Sequence, residues 1–276
     1  VGRTLLGAHT FLVYLFLYGP IAVLAVFSFN AGRQTAIWEG ATLDWYRRLL
    51  SDDRLLAAAG NSLLVAAAAT LAATVLGTAA ALALAKQDSR FRGRRATQAL
   101  LYLPVILPEV VLGAALLTFF GIARLRLSLG TVIIAHVVFS LSYVAIVVRA
   151  RLAGLDPSLA EAARDLGAGP WETFRRVTLP LALPGIAAAA LLVFTLSIDD
   201  YVITSFVAGV GATTLPLHIY SMLKVGVTPE VNAVSTLLLV VTGVPIVLAH
   251  RLLQGSPELP VEQGLSRELD GKLSSR

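Results

Sequence analysis

The chain has 276 residues, 57% of them hydrophobic and only 14% charged, with a mean hydropathy of +0.78. A soluble globular domain is about 25% charged, so the composition excludes a water-soluble protein and points to one embedded in a membrane. The lack of cysteine excludes disulfides and thiolate metal sites, and the net charge of +5 matters less than where the charges fall.

Six apolar runs are long enough to cross roughly 30 Å of hydrocarbon, which takes about 20 helical residues. They lie at Leu5–Phe29, Asn61–Ala85, Thr97–Ile122, Gly130–Ala150, Leu183–Ala208 and Val231–Leu252. The expected architecture is all-α: six transmembrane helices in one membrane domain over residues 1–252. A polar tail over 253–276, with Pro257 and Pro260, is expected to be disordered. The first run follows Arg3 like a signal peptide, but about 25 residues is too long for an h-region, and Phe27-Ser28-Phe29 is no small-x-small cleavage site. It reads as the first span. The chain begins at Val1 and its one methionine is Met222, so either an initiator was removed or replaced or the start is truncated.

Lysine and arginine set the orientation. With the N-terminus inside, the inner segments hold Arg3, Lys86, Arg90, Arg92, Arg94, Arg95, Arg149, Arg151, Arg164, Arg175, Arg176, Arg251, Arg267, Lys272 and Arg276. The outer segments hold Arg33, Arg47, Arg48, Arg54, Arg124, Arg126 and Lys224. Fifteen against seven of the 22 basic residues predicts both termini in the cytoplasm.

The outer segment Asn30–Ala59 contains Trp38, Trp45 and Tyr46, which suit either an interfacial helix or a cover over the mouth of a pathway. Spans two and five are rich in Ala and Gly, which permits close packing within the bundle or against a second subunit. Pro104 and Pro108 predict a kink in span three. A short helix is expected over Leu217–Val225, and Thr228 and Pro229 suit the N-cap and N1 positions of the last span.

Acidic residues inside the spans are the informative polar ones. Glu109 falls near the middle of span three, and Asp199 and Asp200 lie about 22 Å beyond Pro184 along a continuous helix, in the outer half of the bilayer. A charge at the centre of a span costs about 2.5–3.5 kcal/mol, so such groups face a cavity or a partner. No Lys or Arg in these spans is near enough to pair with them. The partner therefore comes from another chain, or the group is protonated, or the partner is a cationic substrate. Adjacent helix positions diverge by about 100°, so one of Asp199 and Asp200 faces the pathway while the other holds a neighbouring helix. His136 in span four reads as a hydrogen-bonded packing residue.

Between spans four and five lies a polar segment, Asp156–Pro184. Asp156 suits an N-cap with Pro157 at N1, and Glu161 and Arg164 form an i,i+3 pair on a helix ending at Gly167. Pro170 opens a second helix with Glu172 and Arg176 at i,i+4, expected to stop before Pro180.

Catalytic chemistry is missing. No Gly-x-x-x-x-Gly-Lys-Ser/Thr loop is present; Gly271-Lys272-Leu273 fails at the hydroxyl position. His9, His136, His218 and His250 make no metal-binding pattern. The chain reads as a non-enzyme with no cofactor and no metal, and any ATP hydrolysis belongs to a partner.

Glu161-Ala162-Ala163, then Gly167, then Val177-x-Leu179-Pro180 resembles the EAA signature of ABC-importer permeases. That resemblance implies a type I ABC-importer permease fold in which the hairpin, residues 151–182, is a cytoplasmic coupling element seated in a groove of an ATP-binding subunit. It implies coupling roles for Glu161, Ala162, Ala163, Asp165, Gly167, Trp171, Leu179 and Pro180. Asn61-Ser62, Phe91-Arg92-Gly93-Arg94-Arg95, Pro104-x-x-x-Pro108-Glu109 and Phe194-Thr-Leu-Ser-Ile-Asp-Asp200 further resemble spermidine/putrescine importer permeases of the second-subunit type. So do Thr214-Leu-Pro216 and Gly226-Val-Thr-Pro-Glu-Val-Asn-Ala233.

This second likeness implies that Trp45, Glu109, Ser197, Asp199 and Asp200 line or guard a polyamine route. It implies partners as well: ATP-binding subunits, a second permease making a heterodimer, an external solute-binding protein and membrane lipid, with no nucleic acid. The setting implied is the bacterial inner membrane. At Pro170 the chain departs from relatives that carry an acid there; either Glu172 takes that role or no residue does. The competing readings are an importer for another amine, an opine, an aminophosphonate or a metal chelate, a stand-alone secondary carrier, and a membrane scaffold.

Overall fold

The computed structural model describes residues 2–32, 37–85 and 93–254, and they are helical apart from connecting loops and one isolated bridge between Asn30 and Ala41. Arg33, Lys86, Arg90, Arg92 and the tail from Gly255 on lie outside the described residues. In chain order the helices are α1 (Gly2–Phe27), α2 (Asp44–Leu49), α3 (Asp53–Ala85), α4 (Arg94–Ile106), α5 (Glu109–Ile122) and α6 (Leu129–Ala153). Then come α7 (Pro157–Asp165), α8 (Pro170–Thr173), a π-helical turn at Phe174–Thr178, α9 (Leu179–Ile198), α10 (Val202–Val207), α11 (Leu215–Val225) and α12 (Pro229–Gln254).

The centre is a three-helix contact of α3, α6 and α9, made possible by small residues. Ala69, Ala73, Gly77 and Ala81 recur every fourth position of α3 and are buried, so they form one smooth ridge. Val144 and Val148 of α6 and Ala189 and Val193 of α9 fill in against it. At Gly77 a Cβ would come within 2.7 Å of Val144 Cβ, so the two backbones meet where only a hydrogen fits. A second cluster joins α2 to α11 and α12 through Trp45, Leu49, Ile219, Val231 and Val234. The aromatic segment after α1 thus contains the short helix α2, packed on α11 and α12. α1 touches α12, and most of its aliphatic and aromatic side chains are exposed.

Among the described residues, α1, α3, α6 and the run Pro170–Ile198 are long and apolar enough to cross a membrane, and the bent pair α4–α5 raises the number to five. The apolar part of α12 is described over Pro229–Val244. The six expected runs fall on α1, α3, α4–α5, α6, α9–α10 and α12, and two of the six are broken. Span three is two helices meeting at 114°. Pro108 lacks an N–H and forces Leu107 out of the α region, to ψ 138°, so the ladder stops. Pro104 remains inside α4. Span five also ends early: α9 stops at Ile198, and Asp199, Asp200 and Tyr201 form a linker before α10. The two aspartates therefore sit in a break, not on a continuous helix.

A third departure is at Pro180, where a stop was expected. Helix continues from Pro170 to Ile198 because the turn Phe174–Thr178 widens to π geometry just before the proline. Pro180 donates no bond, and its ring would press on the carbonyl four residues earlier in a regular α-turn. The wider turn relieves that clash without ending the helix.

Substitutions at two glycines of α3 should have opposite effects. Gly77→Ala pushes into Val144 and should cost about 1–3 kcal/mol. Gly60→Ala meets nothing within 4 Å and should gain about 0.5–1 kcal/mol from helix propensity. Thermal unfolding in detergent should show a lower Tm for the first and an equal or higher one for the second.

Candidate functional site

The two helix breaks lie side by side. α5 packs on α10, and Gly113 admits Phe206, whose Cδ2 would be 2.6 Å from any Cβ at that position. Glu109 starts α5, and Asp199–Tyr201 lead into α10. A cavity of about 310 Å³ lies between these ends, α4 and α6. Its charged lining is Glu109, Asp199 and Asp200, and its aromatic walls are Phe139, Tyr143 and Tyr201. Phe139 meets Tyr143 edge-on at 6.4 Å and His136 at 5.3 Å. Positions 136, 139 and 143 share one face of α6.

The three acids are held differently. Glu109 and Asp199 are exposed and, among the described residues, form no ion pair. Asp199 shares that lining with two groups of its own kind, Asp200 and Glu109. Asp200 has a side chain only 7% exposed, with Oδ2 3.3 Å from His136 Nε2. Its Oδ1 accepts the Ile203 N–H at 3.3 Å, and its Oδ2 accepts both the N–H and the hydroxyl of Thr204 at 2.8 Å. His136 is buried, with Nδ1 2.7 Å from Ser197 Oγ and Nε2 3.0 Å from Thr204 Oγ1. The reading from charge pattern omitted a histidine partner; for Asp200 that partner is in its own chain.

Trp45 is elsewhere. Its indole is buried with Leu49, Ile219 and Val231, its N–H donates to the Asn30 carbonyl at 2.7 Å, and Arg48 lies over the ring at 5.0 Å. It does not line this cavity. Sequence reasoning passed over Phe139, Tyr143, Tyr201 and Thr204. Two signals were available: the 136/139/143 spacing on α6, and a threonine four residues after Asp200. Tyr201 also stacks at 4.3 Å on Tyr220, whose other neighbour is the Lys224 ammonium at 5.1 Å from the ring centre. Asn61 Nδ2 donates to the carbonyls of Gly211 and Thr213, and Ser62 Oγ accepts the Leu215 N–H, which fixes the loop entering α11.

The hairpin at the far end of α9 is built by local signals. Asp156 accepts the Ser158 N–H at 2.9 Å with Pro157 at N1. That bond holds its carboxyl below the ordinary value of 3.8. α7 closes on Gly167 at φ +88°, with the Gly167 N–H on the Arg164 carbonyl and the Ala168 N–H on that of Ala163. This is a Schellman closure. Glu172 and Arg176 pair at 3.0 Å, whereas Glu161 and Arg164 form no ion pair. Glu161, Ala162, Asp165 and Pro180 are exposed, and Ala163 and Leu179 are half-buried. Three large apolar side chains face outward here: Leu159 at 47%, Leu166 at 90% and Trp171 at 70% exposure.

The family described as binding-protein-dependent transport system inner membrane component matches residues 73–256. The spermidine/putrescine transport system permease protein PotC of Haemophilus influenzae is 41% identical over 244 residues, covering 88% of this chain and 94% of that protein. PotC of Escherichia coli strain K12 is 42% identical over 250 residues, covering 91% and 94%. The putrescine transport system permease protein PotI of the same strain is 42% identical over 239 residues, 84% of each chain. Among solved structures, a chain of a bacterial ABC transporter involved in the import of the acidic polysaccharide alginate superposes with a TM-score of 0.75 at 21% identity, covering 92% of this chain and 96% of that one. A chain of the inward-facing MetNI methionine ABC transporter gives 0.64 at 21% identity, covering 74% and 96%. These structures share the fold.

Two measurements on the hairpin follow from its geometry. Gly167→Ala forces a Cβ into the left-handed region at a cost of about 1–2 kcal/mol, while Gly167→Asn should cost less. The amides of residues 167 and 168 should exchange faster in the alanine variant than in the asparagine one. The Asp156 cap is fully present above pH 3.8 and is lost as pH falls below it through the lowered folded value. Exchange at the Ser158 amide should therefore lose its protection only in that acid range.

Proposed function

This chain belongs to the family of binding-protein-dependent transport system inner membrane components, and we propose that it is the permease subunit through which a polyamine crosses the inner membrane, driven by separate ATP-binding subunits. One observation carries the cargo assignment. Glu109 and Asp199 face a cavity with aromatic walls and, among the described residues, have no cation of their own. A polyamine is a flexible chain of ammonium groups. Such groups pair with carboxylates and lie over aromatic faces for about 0.5–2 kcal/mol each. Two unpartnered acids and a few rings hold a cation loosely enough for release.

On this reading the N- and C-termini are cytoplasmic, in line with fifteen of the 22 basic residues falling on the inner side. The α7–α8 hairpin then projects into the cytoplasm. Exposed Leu159, Leu166 and Trp171, beside Glu161, Ala162, Ala163 and Gly167, make it the element that seats in an ATP-binding subunit. Asp165, Leu179 and Pro180 belong to the same element. The exposed α1 and the other uncovered faces are left for lipid and for a second, non-identical permease. A solute-binding protein delivers the cargo from outside. Ser197 supports the route from behind, and Trp45 acts on it through the packing of α2.

The test is uptake by the assembled importer in proteoliposomes. Wild type should take up spermidine only with ATP inside and the binding protein outside. Asp199→Asn and Glu109→Gln should each lower uptake at least about tenfold, the scale of one lost charge-assisted contact, with normal amounts of protein in the membrane. Glu161→Lys should leave the permease in the membrane but separate ATPase activity from uptake. Unchanged uptake in the two carboxamide variants would overturn the assignment of the route.

A further inference from the structure

Asp199 and Asp200 are neighbours of one chemical kind, yet they are held differently: Asp200 has partners on both oxygens and a side chain only 7% exposed, whereas Asp199 is exposed. An ionised carboxylate offers about four lone-pair sites. At Asp200, Oδ1 accepts the Ile203 N–H and Oδ2 accepts the N–H and the hydroxyl of Thr204, with His136 Nε2 3.3 Å from that same oxygen. For a neutral imidazole the proton directions follow from the contacts. The Thr204 hydroxyl has one hydrogen and gives it to Asp200 Oδ2. It can therefore meet His136 Nε2, 3.0 Å away, only as an acceptor. Nε2 carries the proton, shared between Thr204 Oγ1 and Asp200 Oδ2. In the neutral ring Nδ1 is then an acceptor, and Ser197, 2.7 Å away, donates to it.

We infer that His136 is a positioning residue of the cation route: it locks Asp200 into the wall, together with Ser197 and Thr204, so that Asp199 alone is presented beside Glu109. The inference rests on the proposed cation route and assigns labour within it. His136 joins three separate pieces of chain, since Ser197 lies in the last turn of α9, Asp200 in the linker and Thr204 in the first turn of α10. Asp199 is the residue capping α9, at φ −99° and ψ −1°, and its carboxylate belongs to the open cavity. Without the imidazole, the Asp200 carboxylate loses its contact with α6 and turns toward that cavity. Two acids then compete for each ammonium, and the α9–α10 linker loses its tie to α6.

The test exploits a chain with no cysteine, in which Asp199→Cys introduces a unique thiol. His136→Phe keeps a ring and removes both nitrogens, whereas His136→Gln puts an amide N–H near the position of Nε2. In the assembled importer, His136→Phe should lower spermidine uptake at least about tenfold at normal membrane abundance, and His136→Gln should stay within about threefold of wild type. A residue that only fills space predicts the opposite order, and that order would overturn the inference. A second readout needs no transport. In the Asp199→Cys background, the rate at which a cationic methanethiosulfonate reagent modifies the introduced thiol should change at least about fivefold with His136→Phe and little with His136→Gln. Equal rates in all three backgrounds would also overturn it. Asp200→Asn added to His136→Phe should do no further harm, because both break one network; multiplied losses would count against it. If wild type moves no spermidine, the proposed cargo falls while the thiol-modification rates still decide the role of His136.

Discussion

In hydrocarbon, backbone that leaves the helix uncovers N–H and C=O groups that no water can reach, and each uncovered group costs several kcal/mol. This chain leaves the helix twice at neighbouring places, before Glu109 and after Ile198. Both breaks border one cavity, and a cavity wall is where irregular backbone is tolerated at depth. At the second break Asp200 takes the first free N–H groups of α10 onto its carboxylate. A buried charge is thereby satisfied by the same groups that needed an acceptor. The linker held by this exchange lines the cavity together with Glu109.

The support for that exchange comes from a distance. His136 stands on α6, and its ring is wedged between Phe139 and the hydroxyls of Ser197 and Thr204. α6 itself is anchored on the small-residue ridge of α3 around Gly77. Packing of alanines and one glycine therefore sets where an imidazole sits, and the imidazole sets which carboxylate is free. Helix contact and site chemistry are successive links of one chain of dependence.

What could be read from the residues was what is local. Long apolar runs, the Asp156-Pro157 start, the Gly167 stop and the Glu172–Arg176 pair all appear where their short-range patterns put them. The end of α9 was not readable. Between Ile186 and Ala208 there is neither Pro nor Gly to announce a break. What stops the helix is a side chain competing with the backbone for N–H groups, backed by a residue 61 positions away from Ser197. Pro180 misled in the other direction, since a proline signal was absorbed by one widened turn. Trp45 shows a further limit: aromatic character at an interface is visible in a sequence, but the direction of the ring is not.

The widened turn at Phe174–Thr178 has a mechanical meaning. Because helix runs unbroken from Pro170 to Ile198, Trp171 and Asp199 stand at opposite ends of one continuous helical rod about 43 Å long at 1.5 Å per residue. A stop at Pro180 would have made a hinge, and a push on one side would have dissipated in it. With the rod intact, a swing of about ten degrees displaces one end from the other by roughly 7 Å, more than the length of an ammonium-to-carboxylate contact. A single proline, accommodated instead of obeyed, makes the difference between a joint and a crowbar.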